Sequence, residues 1–434
     1  MNLPEDYSLR CELNDEVHTH QYEKLNPPER AFCIALLVNE AERAKEWEHL
    51  AELCKIYGLT LPEKESKNLH MDMGEFRLKV ERHQEFTRYT FVRRQGRIDA
   101  PFSDPAANHV PDEWLSTIPG KTLVAAHVDI MQGDPLDAQP SLAEIAAYFE
   151  TDTLAGSRAG SSSSLVFTDF RIGKDGFSRF LVIANSRLPT QNGRLLLRIL
   201  DVETYRMLAL IALPEARSLI AKIPALDAQL TTITDAISQG SEMNDEALLE
   251  DISKFAAQLE SLTSSTYYRF AATRAYFGVV ANRLAELRET PIEGIPTLGG
   301  FLNRRMEPAR NTCESAGKSL DQLSNRISHA SQLLRTRIDV RREAQNQDLL
   351  AALNRRFHLQ LRLQQTVGRL TIAVFTYYTV NLIGYVSDAL AVHFHWALNT
   401  VEIEAASIPF VALIAYFLVG RKVRNALVNS EFLN

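Results

Sequence analysis

Acidic, basic and imidazole side chains are concentrated on a few segments in the first half of the chain. The predicted functional residues are Glu81, His83, Asp169, Arg171 and Arg179. Side chains alternate along a strand, so pairing of the strands that carry them would bring several of these groups to one sheet face. Such a set can transfer protons or bind an anion, but it can equally be a structural ion-pair network. The pattern predicts a ligand site without an assigned catalytic residue.

Signatures of nucleophilic and zinc catalysis are missing from the sequence, which has no Gly-x-Ser-x-Gly, His-Glu-x-x-His or cysteine–histidine motif. The glycine- and serine-rich stretch at residues 156–164 lacks the Gly-Lys-Ser/Thr end of a phosphate-binding loop, so we interpret it as a flexible loop. The 4 cysteines form no Cys-x-x-Cys pair, which is typical of free thiols in a reducing compartment. We therefore predict no metal site and no cofactor, and favour a non-enzymatic role.

Two apolar runs, at residues 369–386 and 405–420, lie near the end of the chain. Each is close to the roughly 20 residues that a helix needs to cross the hydrocarbon core of a bilayer. Arg369 precedes the first run and Arg421 and Lys422 follow the second, whereas the link at 387–404 has no lysine or arginine. The positive-inside rule then predicts a two-helix transmembrane hairpin with both termini in the cytoplasm. Two buried core helices of a soluble protein are the alternative.

Three polar residues, Thr379, Asn381 and Asp388, lie in or beside the first apolar run. Polar groups at membrane depth usually face a partner helix or a pore. These residues would line the pore if the protein is a channel. Otherwise we expect Asn381 to bond to a neighbouring helix.

The preceding residues predict an α+β fold. Apolar residues at three- and four-residue spacing predict a helix over 31–57 and a short helix over 140–149. Alternating or β-branched segments predict a small, mostly antiparallel sheet. Its strands are expected at 76–83, 86–93, 123–130, 165–172 and 177–184.

Helical segments dominate the rest of the chain. They are predicted at 195–213, 215–239, 244–262 and 265–289, followed by a hinge-like linker at 291–300 and a long stalk. We predict four domains: a cytoplasmic α/β domain (1–190), a helical bundle (191–290), a linker with a helical stalk (291–368) and the transmembrane hairpin (369–434).

The stalk carries a narrow apolar seam, which a single helix cannot bury alone. The seam comprises Leu320, Leu323, Ile327, Ala330 and Leu334, and continues at Leu350, Leu353, Phe357, Leu361 and Val367. It must pack on the preceding helices or on copies of itself, in an imperfect coiled coil. We expect a homo-oligomer. The formal net charge of −7 argues against nucleic acid as a partner.

Five sequence blocks carry a family resemblance. They begin at Leu78 (Leu-Lys-Val-Glu-Arg-His-Gln-Glu-Phe), Thr168 (Thr-Asp-Phe-Arg-Ile-Gly-Lys-Asp-Gly), Glu203 (Glu-Thr-Tyr-Arg-Met), Tyr268 (Tyr-Arg-Phe-Ala-Ala-Thr-Arg) and Leu334 (Leu-Arg-Thr-Arg-Ile-Asp). These blocks resemble a bacterial family of uncharacterised membrane-anchored proteins that share a domain of unknown function. The sequence departs from the family at Val80, where tryptophan is usual. The resemblance covers nearly the whole chain and implies a membrane anchor, here in the bacterial inner membrane, without an activity or site residues.

The layout is also similar to that of CorA-type magnesium channels, in which a cytoplasmic α/β domain leads through a long helix into two spans. This similarity implies divalent-cation transport as an alternative function. The Gly-Met-Asn signature that closes their first span is absent, and Ile383-Gly-Tyr-Val-Ser-Asp388 lies there instead.

Overall fold

The computed structural model describes residues 7–11, 13, 14, 22–60, 66–94, 100–134, 141–149, 153–160, 163–185, 187–239, 245–394 and 399–431. The chain divides into two compact units, Met1–Ser331 and Gln332–Asn434. The boundary falls inside one helix, Leu298–Phe394, which is 97 residues long.

A nine-stranded sheet forms the framework of the first unit, with the strand order β2-β3-β4-β1-β5-β8-β7-β6-β9. The strands are β1 (Glu29–Leu37), β2 (Asn68–Asp72), β3 (Arg77–Arg82), β4 (Phe86–Arg94), β5 (Lys121–Gln132), β6 (Ala155–Ala159), β7 (Ser164–Thr168), β8 (Ser178–Ala184) and β9 (Thr290–Pro291). All neighbours pair antiparallel except β5 and β8, which run parallel. The predicted α+β class and mostly antiparallel sheet are confirmed, but the sheet is larger than predicted.

Helices pack against both faces of this sheet. The α-helices of the described residues are α1 (Glu40–Ile56), α2 (Asp112–Ser116), α3 (Leu142–Ala147), α4 (Pro189–Leu210), α5 (Leu213–Ser238), α6 (Asp245–Glu286), α7 (Leu298–Phe394) and α8 (Thr400–Glu431).

The interior strand β1 occupies residues for which the sequence predicted a helix. The prediction over 31–57 was wrong for its first part, because β1 pairs with β4 and β5 and is buried on both faces. A strand buried on both faces has a continuous apolar run instead of alternation. The helix α1 begins only after Asn39, whose side chain accepts a hydrogen bond from the Glu42 N–H while the Glu42 carboxylate accepts one from the Asn39 N–H. This reciprocal capping box fixes the start of α1.

The two faces of the sheet bury different cores. Cys33 of β1 belongs to a core shared with α4, α6 and α7. Its neighbour Phe32 belongs to a core on the opposite face with α1 and α2. A third core includes Phe167 of β7 and Ile145 of α3. Because side chains alternate along each strand, apolar residues point to both faces of the sheet, and helices pack against each face.

Two predicted irregular segments are ordered elements. Within the predicted loop at 156–164, Ala155–Ala159 form β6 and Ser164 begins β7, while residues 161 and 162 lie outside the described residues. Packing explains the glycine at position 156. A Cβ on Gly156 would lie 2.7 Å from both the Phe167 ring and the Ile295 side chain. The predicted linker at 291–300 contains the end of β9 and the start of α7. The Leu298 N–H donates to Ser157 Oγ at 3.0 Å, which fastens this helix start to β6.

The helical part of the first unit differs from the prediction in one respect. The segments predicted at 244–262 and 265–289 form one helix, α6, from Asp245 onward; residue 244 lies outside the described residues. The first block of the α7 seam is buried at Leu320, Leu323 and Ile327. An ion pair between Arg326 and Asp227 joins this part of α7 to α5.

The second unit contains the rest of α7 and α8. Each helix includes an 18-residue apolar window that is long enough to cross a membrane. Only 6% of the residues in the α7 window and 11% of those in the α8 window are buried. The two helices contact each other near Gly384, where a Cβ would collide with the Glu404 carboxylate. Ala415 of α8 is also buried. Pro409 lies inside a continuous α8.

Candidate functional site

The sheet order divides the five predicted ligand residues between separate places. Glu81 lies on β3 and His83 follows it, whereas Asp169 and Arg171 follow β7 and Arg179 lies on β8. Since β3 and β7 are five strand positions apart, about 24 Å separates them at the usual strand spacing. The five residues do not form a single site.

Glu81 is the centre of a buried ion-pair network. It faces Arg88 across the β3–β4 pair, with the Arg88 Nε donating to Glu81 Oε2 at 2.8 Å. Lys79 Nζ lies 2.8 Å from Glu81 Oε1. Burial disfavours the carboxylate, but Arg88 and Lys79 outweigh it and lower the pKa of Glu81 from 4.5 to about 2. Glu81 is therefore a fixed negative charge at neutral pH.

The same network connects the sheet to two helices. Arg88 donates to Asp201 Oδ1 of α4 at 2.7 Å, and Arg283 of α6 donates to Asp201 Oδ2 at 2.8 Å. Arg283 also donates to both carboxylate oxygens of Glu286 at 3.0 Å. Every carboxylate in this series has a cationic partner inside the protein. A satisfied buried network of this kind holds elements together and leaves no group free for a substrate.

His83 lies in the turn that follows β3, where its ring stacks on Phe86 with centroids 4.3 Å apart. Arg43 donates to its backbone carbonyl at 2.5 Å. The neighbouring Glu85 accepts hydrogen bonds from the Tyr276 hydroxyl at 2.8 Å and from Arg269 at 3.1 Å. These contacts join the turn to α1 and α6, and they give His83 a packing role.

Arg179 contacts Asp175, in the turn between β7 and β8, and does not line the cavity that Asp169 and Arg171 border. Its guanidinium lies 2.8 Å from Asp175 Oδ2 and 5.7 Å from the centre of the Phe102 ring. It pairs in register with His127 of β5. His127 is buried, and burial lowers its pKa to about 4, so the ring beside Arg179 is neutral at pH 7.

The turn after β7 has an uncommon backbone conformation at Phe170, where φ is 54°. A bulky residue at positive φ is strained and has to be held by its surroundings. Thr168 Oγ1 accepts the Phe170 N–H at 3.1 Å, and Asp169 Oδ1 accepts the Arg171 N–H at 3.0 Å. Burial raises the pKa of Asp169 in spite of this hydrogen bond and the charge of Arg171. The strained turn presents both side chains to a cavity.

This cavity consists of two adjacent hollows with volumes of about 260 and 680 Å³. The smaller hollow is lined by Thr153, Asp169, Phe170, Arg171, Arg206, Leu210, Phe301, Leu302, Arg305 and Met306. The larger is lined by Leu142, Ala143, Ala146, Thr153, Leu154, Gly294, Ile295, Pro296, Phe301, Arg304 and Arg305. Arg305 borders both hollows, and its guanidinium stacks on Phe301, which also borders both. We call the two hollows together the arginine cavity.

Two of the predicted ligand residues, Asp169 and Arg171, line the arginine cavity, and three more arginines join them. Arg206 of α4 donates to both oxygens of Glu203, at 2.5 and 2.6 Å, so its charge is neutralised. Arg304 and Arg305 come from the start of α7. Sequence reasoning missed these three, because only the fold brings α4 and the start of α7 beside the β7–β8 turn. The resemblance block at Glu203 was the only sequence signal that included Arg206.

A known protein family matches nearly the whole chain. Residues 5–427 match the family described as "Protein of unknown function (DUF3422)". The chain belongs to this family. The predicted resemblance to an uncharacterised family is thus confirmed, whereas similarity to CorA-type magnesium channels is not shown. A search of curated proteins found no match.

In this DUF3422 chain, the three predicted pore residues have different surroundings. Asn381 is half-buried and lines a groove of about 500 Å³ between α7 and α8, together with Arg369 and Thr376. The Thr379 hydroxyl donates to the Phe375 carbonyl of its own helix at 2.8 Å. Asp388 is exposed. Across the described ranges, no three histidine, cysteine, aspartate or glutamate side chains are grouped as metal ligands would be.

Proposed function

We propose that this DUF3422 protein is anchored in the bacterial inner membrane by the hairpin of α7 and α8 and carries its α+β unit in the cytoplasm. The observation that carries the proposal is the exposure of the two apolar windows, of which 6% and 11% are buried. Core helices of a soluble protein would bury these side chains, whereas Tyr385, Val392 and Phe410 are 74%, 76% and 71% exposed. Exposed apolar surface of this extent requires lipid or a partner.

The charge distribution supports a cytoplasmic location for both termini. Arg369 lies at the start of the first apolar window, and Arg421 and Lys422 follow the second. The connection between them carries Asp388 and Glu402 and no lysine or arginine. Positively charged flanks stay on the cytoplasmic side of the inner membrane.

Cysteine labelling in intact cells tests this topology. A cysteine introduced at exposed Ala389 should react with a membrane-impermeant maleimide from outside the inner membrane. The native Cys11, which is exposed, should react only after the membrane is permeabilised. Equal protection of both positions before permeabilisation, or release of the protein by alkaline carbonate, would overturn the hairpin.

We further propose that copies of the chain associate along the second block of the seam. Leu350, Leu353 and Phe357 of α7 are 57–64% exposed, although they continue the apolar spacing of the buried first block. Exposed apolar seams of long helices are covered by other helices. Light scattering in mild detergent should give a mass above that of one chain. A Leu353→Glu/Phe357→Glu variant should be monomeric, and Leu333→Glu, at an exposed position beside the first block, should not. A monomeric wild-type chain would refute the association.

A divalent-cation channel is the second candidate, and the half-buried Asn381 in the hairpin groove favours it. In this arrangement, oligomerisation would place Asn381, Thr379 and Asp388 around a shared pathway. Liposomes containing the protein should then conduct Mg²⁺, and Asn381→Leu should reduce the flux. Absence of flux for several divalent cations would exclude the channel and leave the anchor proposal intact.

A further inference from the structure

We propose that the arginine cavity binds an organic phosphate, with the phosphate held by Arg304 and Arg305 and the carbon skeleton lying in the larger hollow. The inference does not depend on the membrane anchor, because all residues involved belong to the first unit.

The first step is the charge of the cavity. Glu203 neutralises Arg206, and Asp169 is the only carboxylate among the described lining residues. Its charge interacts with that of the neighbouring Arg171, and its Oδ1 also accepts the Arg171 backbone N–H at 3.0 Å. Arg304 and Arg305 form no ion pair within the described part of the chain; their contacts there are with a backbone carbonyl and an aromatic ring. Two cations therefore remain for a ligand, which matches the charge of about −1.5 to −2 on a phosphate monoester at pH 7.

The second step is the orientation of these two arginines. The Arg305 guanidinium lies 3.7 Å from the centre of the Phe301 ring. Stacking on a ring occupies the face of a guanidinium and leaves its N–H groups directed outward for bidentate contact with an oxyanion. Arg304 uses Nε to donate to the Gly300 carbonyl at 3.0 Å. Arg304 lines the larger hollow, and its terminal nitrogens form no ion pair among the described residues.

The strained turn after β7 helps to position Arg305 through the ring of Phe301. The Phe170 ring stacks on Phe301 with centroids 5.4 Å apart and an interplanar angle of 27°. Phe301 in turn carries the Arg305 guanidinium. The positive φ of Phe170 therefore affects the cavity, because it places the Phe170 ring against Phe301, and Phe301 stacks on Arg305. Strained backbone commonly accompanies such positioning at binding sites.

The third step is the apolar wall of the larger hollow. Leu142 and Ala146 of α3 lie on one side, and Ile295 precedes α7 on the other. A hollow of about 680 Å³ is within the size range of small-molecule sites, which pair apolar walls with a few oriented polar groups. Inorganic phosphate would leave this wall unused. The expected ligand thus has an apolar body.

Calorimetric titration of the full-length chain in a neutral detergent tests the proposal, with phenyl phosphate as the probe. Phenyl phosphate should bind more tightly than inorganic phosphate, which lacks the ring, and more tightly than benzoate, which carries one charge. Arg304→Gln/Arg305→Gln should weaken its binding at least about tenfold, as expected for two charge-assisted hydrogen-bonding groups. Arg335→Gln, at an exposed arginine further along the same helix, is the matched control and should change affinity less than about twofold.

A second variant tests the apolar wall without removing charge. Ala146→Phe fills the larger hollow and should weaken phenyl phosphate more than inorganic phosphate. Circular dichroism melting checks that each variant is folded. The proposal is overturned if phenyl phosphate does not bind at millimolar concentration, if it binds no better than benzoate, or if the double variant and Arg335→Gln have the same affinity.

The phosphate can belong to a soluble metabolite or to a lipid headgroup, and the same titration separates the two sources. Dihexanoyl phosphatidic acid, used below its micellar concentration, should bind more tightly than phenyl phosphate if the natural ligand is a lipid, and more weakly if it is soluble. In both cases Arg304→Gln/Arg305→Gln must weaken the binding. Lipid binding that the double variant leaves unchanged would overturn the site.

Discussion

Replacing Glu81 by glutamine removes the central charge of the buried network while keeping the size of the side chain. In the wild-type chain, the pKa of Glu81 is lowered from 4.5 to about 2. At about 1.4 kcal/mol per pKa unit, the ionised carboxylate contributes roughly 3 kcal/mol to the free energy of unfolding at pH 7. Glu81→Gln leaves Lys79 without its partner and Arg88 with Asp201 alone. The expected destabilisation is therefore about 3 kcal/mol, in the range for breaking a buried ion pair.

The pH dependence of this difference is specific to the charge. A carboxylate with a lowered folded-state pKa stabilises the protein above its unfolded-state pKa and loses that effect as the pH falls toward the folded-state value. The difference in stability between the wild type and Glu81→Gln should be constant above about pH 5. It should then shrink between about pH 4.5 and pH 2, where the wild-type carboxyl becomes protonated.

Urea unfolding of the full-length protein, followed by tryptophan fluorescence, measures the difference at each pH. Trp114 is buried beside the sheet and reports on the first unit. Glu260→Gln, at an exposed position of α6, is the control and should change stability by less than about 0.5 kcal/mol. A loss below about 1 kcal/mol at pH 7, or an equal loss at pH 7 and pH 3, would show that the charge of Glu81 does not stabilise the fold.

Three further substitutions or modifications have defined outcomes. Gly193→Ala should destabilise the protein by about 1–3 kcal/mol in urea unfolding, because the new Cβ would lie 1.7 Å from the Glu23 carbonyl oxygen. An unchanged urea midpoint would show that the backbone at Glu23 is not packed this closely against Gly193. Gly278→Ala should stabilise it by about 1 kcal/mol, since nothing lies within 4 Å of a Cβ there; a loss of stability would contradict this open space. Iodoacetamide at pH 8 should label exposed Cys11 first and leave Cys33 unmodified, because burial raises the pKa of Cys33 to about 12; peptide mass spectrometry would reveal the opposite order.

Local patterns predicted much of the sheet but not the interior strand β1. The strands β3 and β4 alternate or are rich in aromatic residues, and both lie within about two residues of their predicted positions. β1 was missed because its run from Ala31 to Leu37 is apolar throughout and is followed directly by an amphipathic helix. Asn39 and Glu42 carried the signal that separates the two, since their spacing is that of a capping box. Counting the spacing of apolar residues across the whole segment does not detect the boundary between β1 and α1.

The candidate site was less predictable than the fold. Side-chain alternation on paired strands suggested that Glu81 and Asp169 could share a sheet face, but their separation depends on the order in which strands pair. That order includes one parallel neighbour, β5 with β8, which no local pattern specifies. Arg305 could not be identified from the sequence either, because its environment is created by Phe301 and Phe170, which are far apart in the chain.

The edges of the sheet constrain how this protein can aggregate. Within the described residues, one edge is β9, which has only two residues and ends in Pro291. Proline has no N–H to donate, so a further strand cannot extend the ladder there. The other edge, β2, is five residues long and ends in a charged residue, Asp72. Short or proline-terminated edges resist strand addition by neighbouring molecules. Strand addition between copies of this chain is thereby disfavoured, which leaves contacts between copies to helical surfaces.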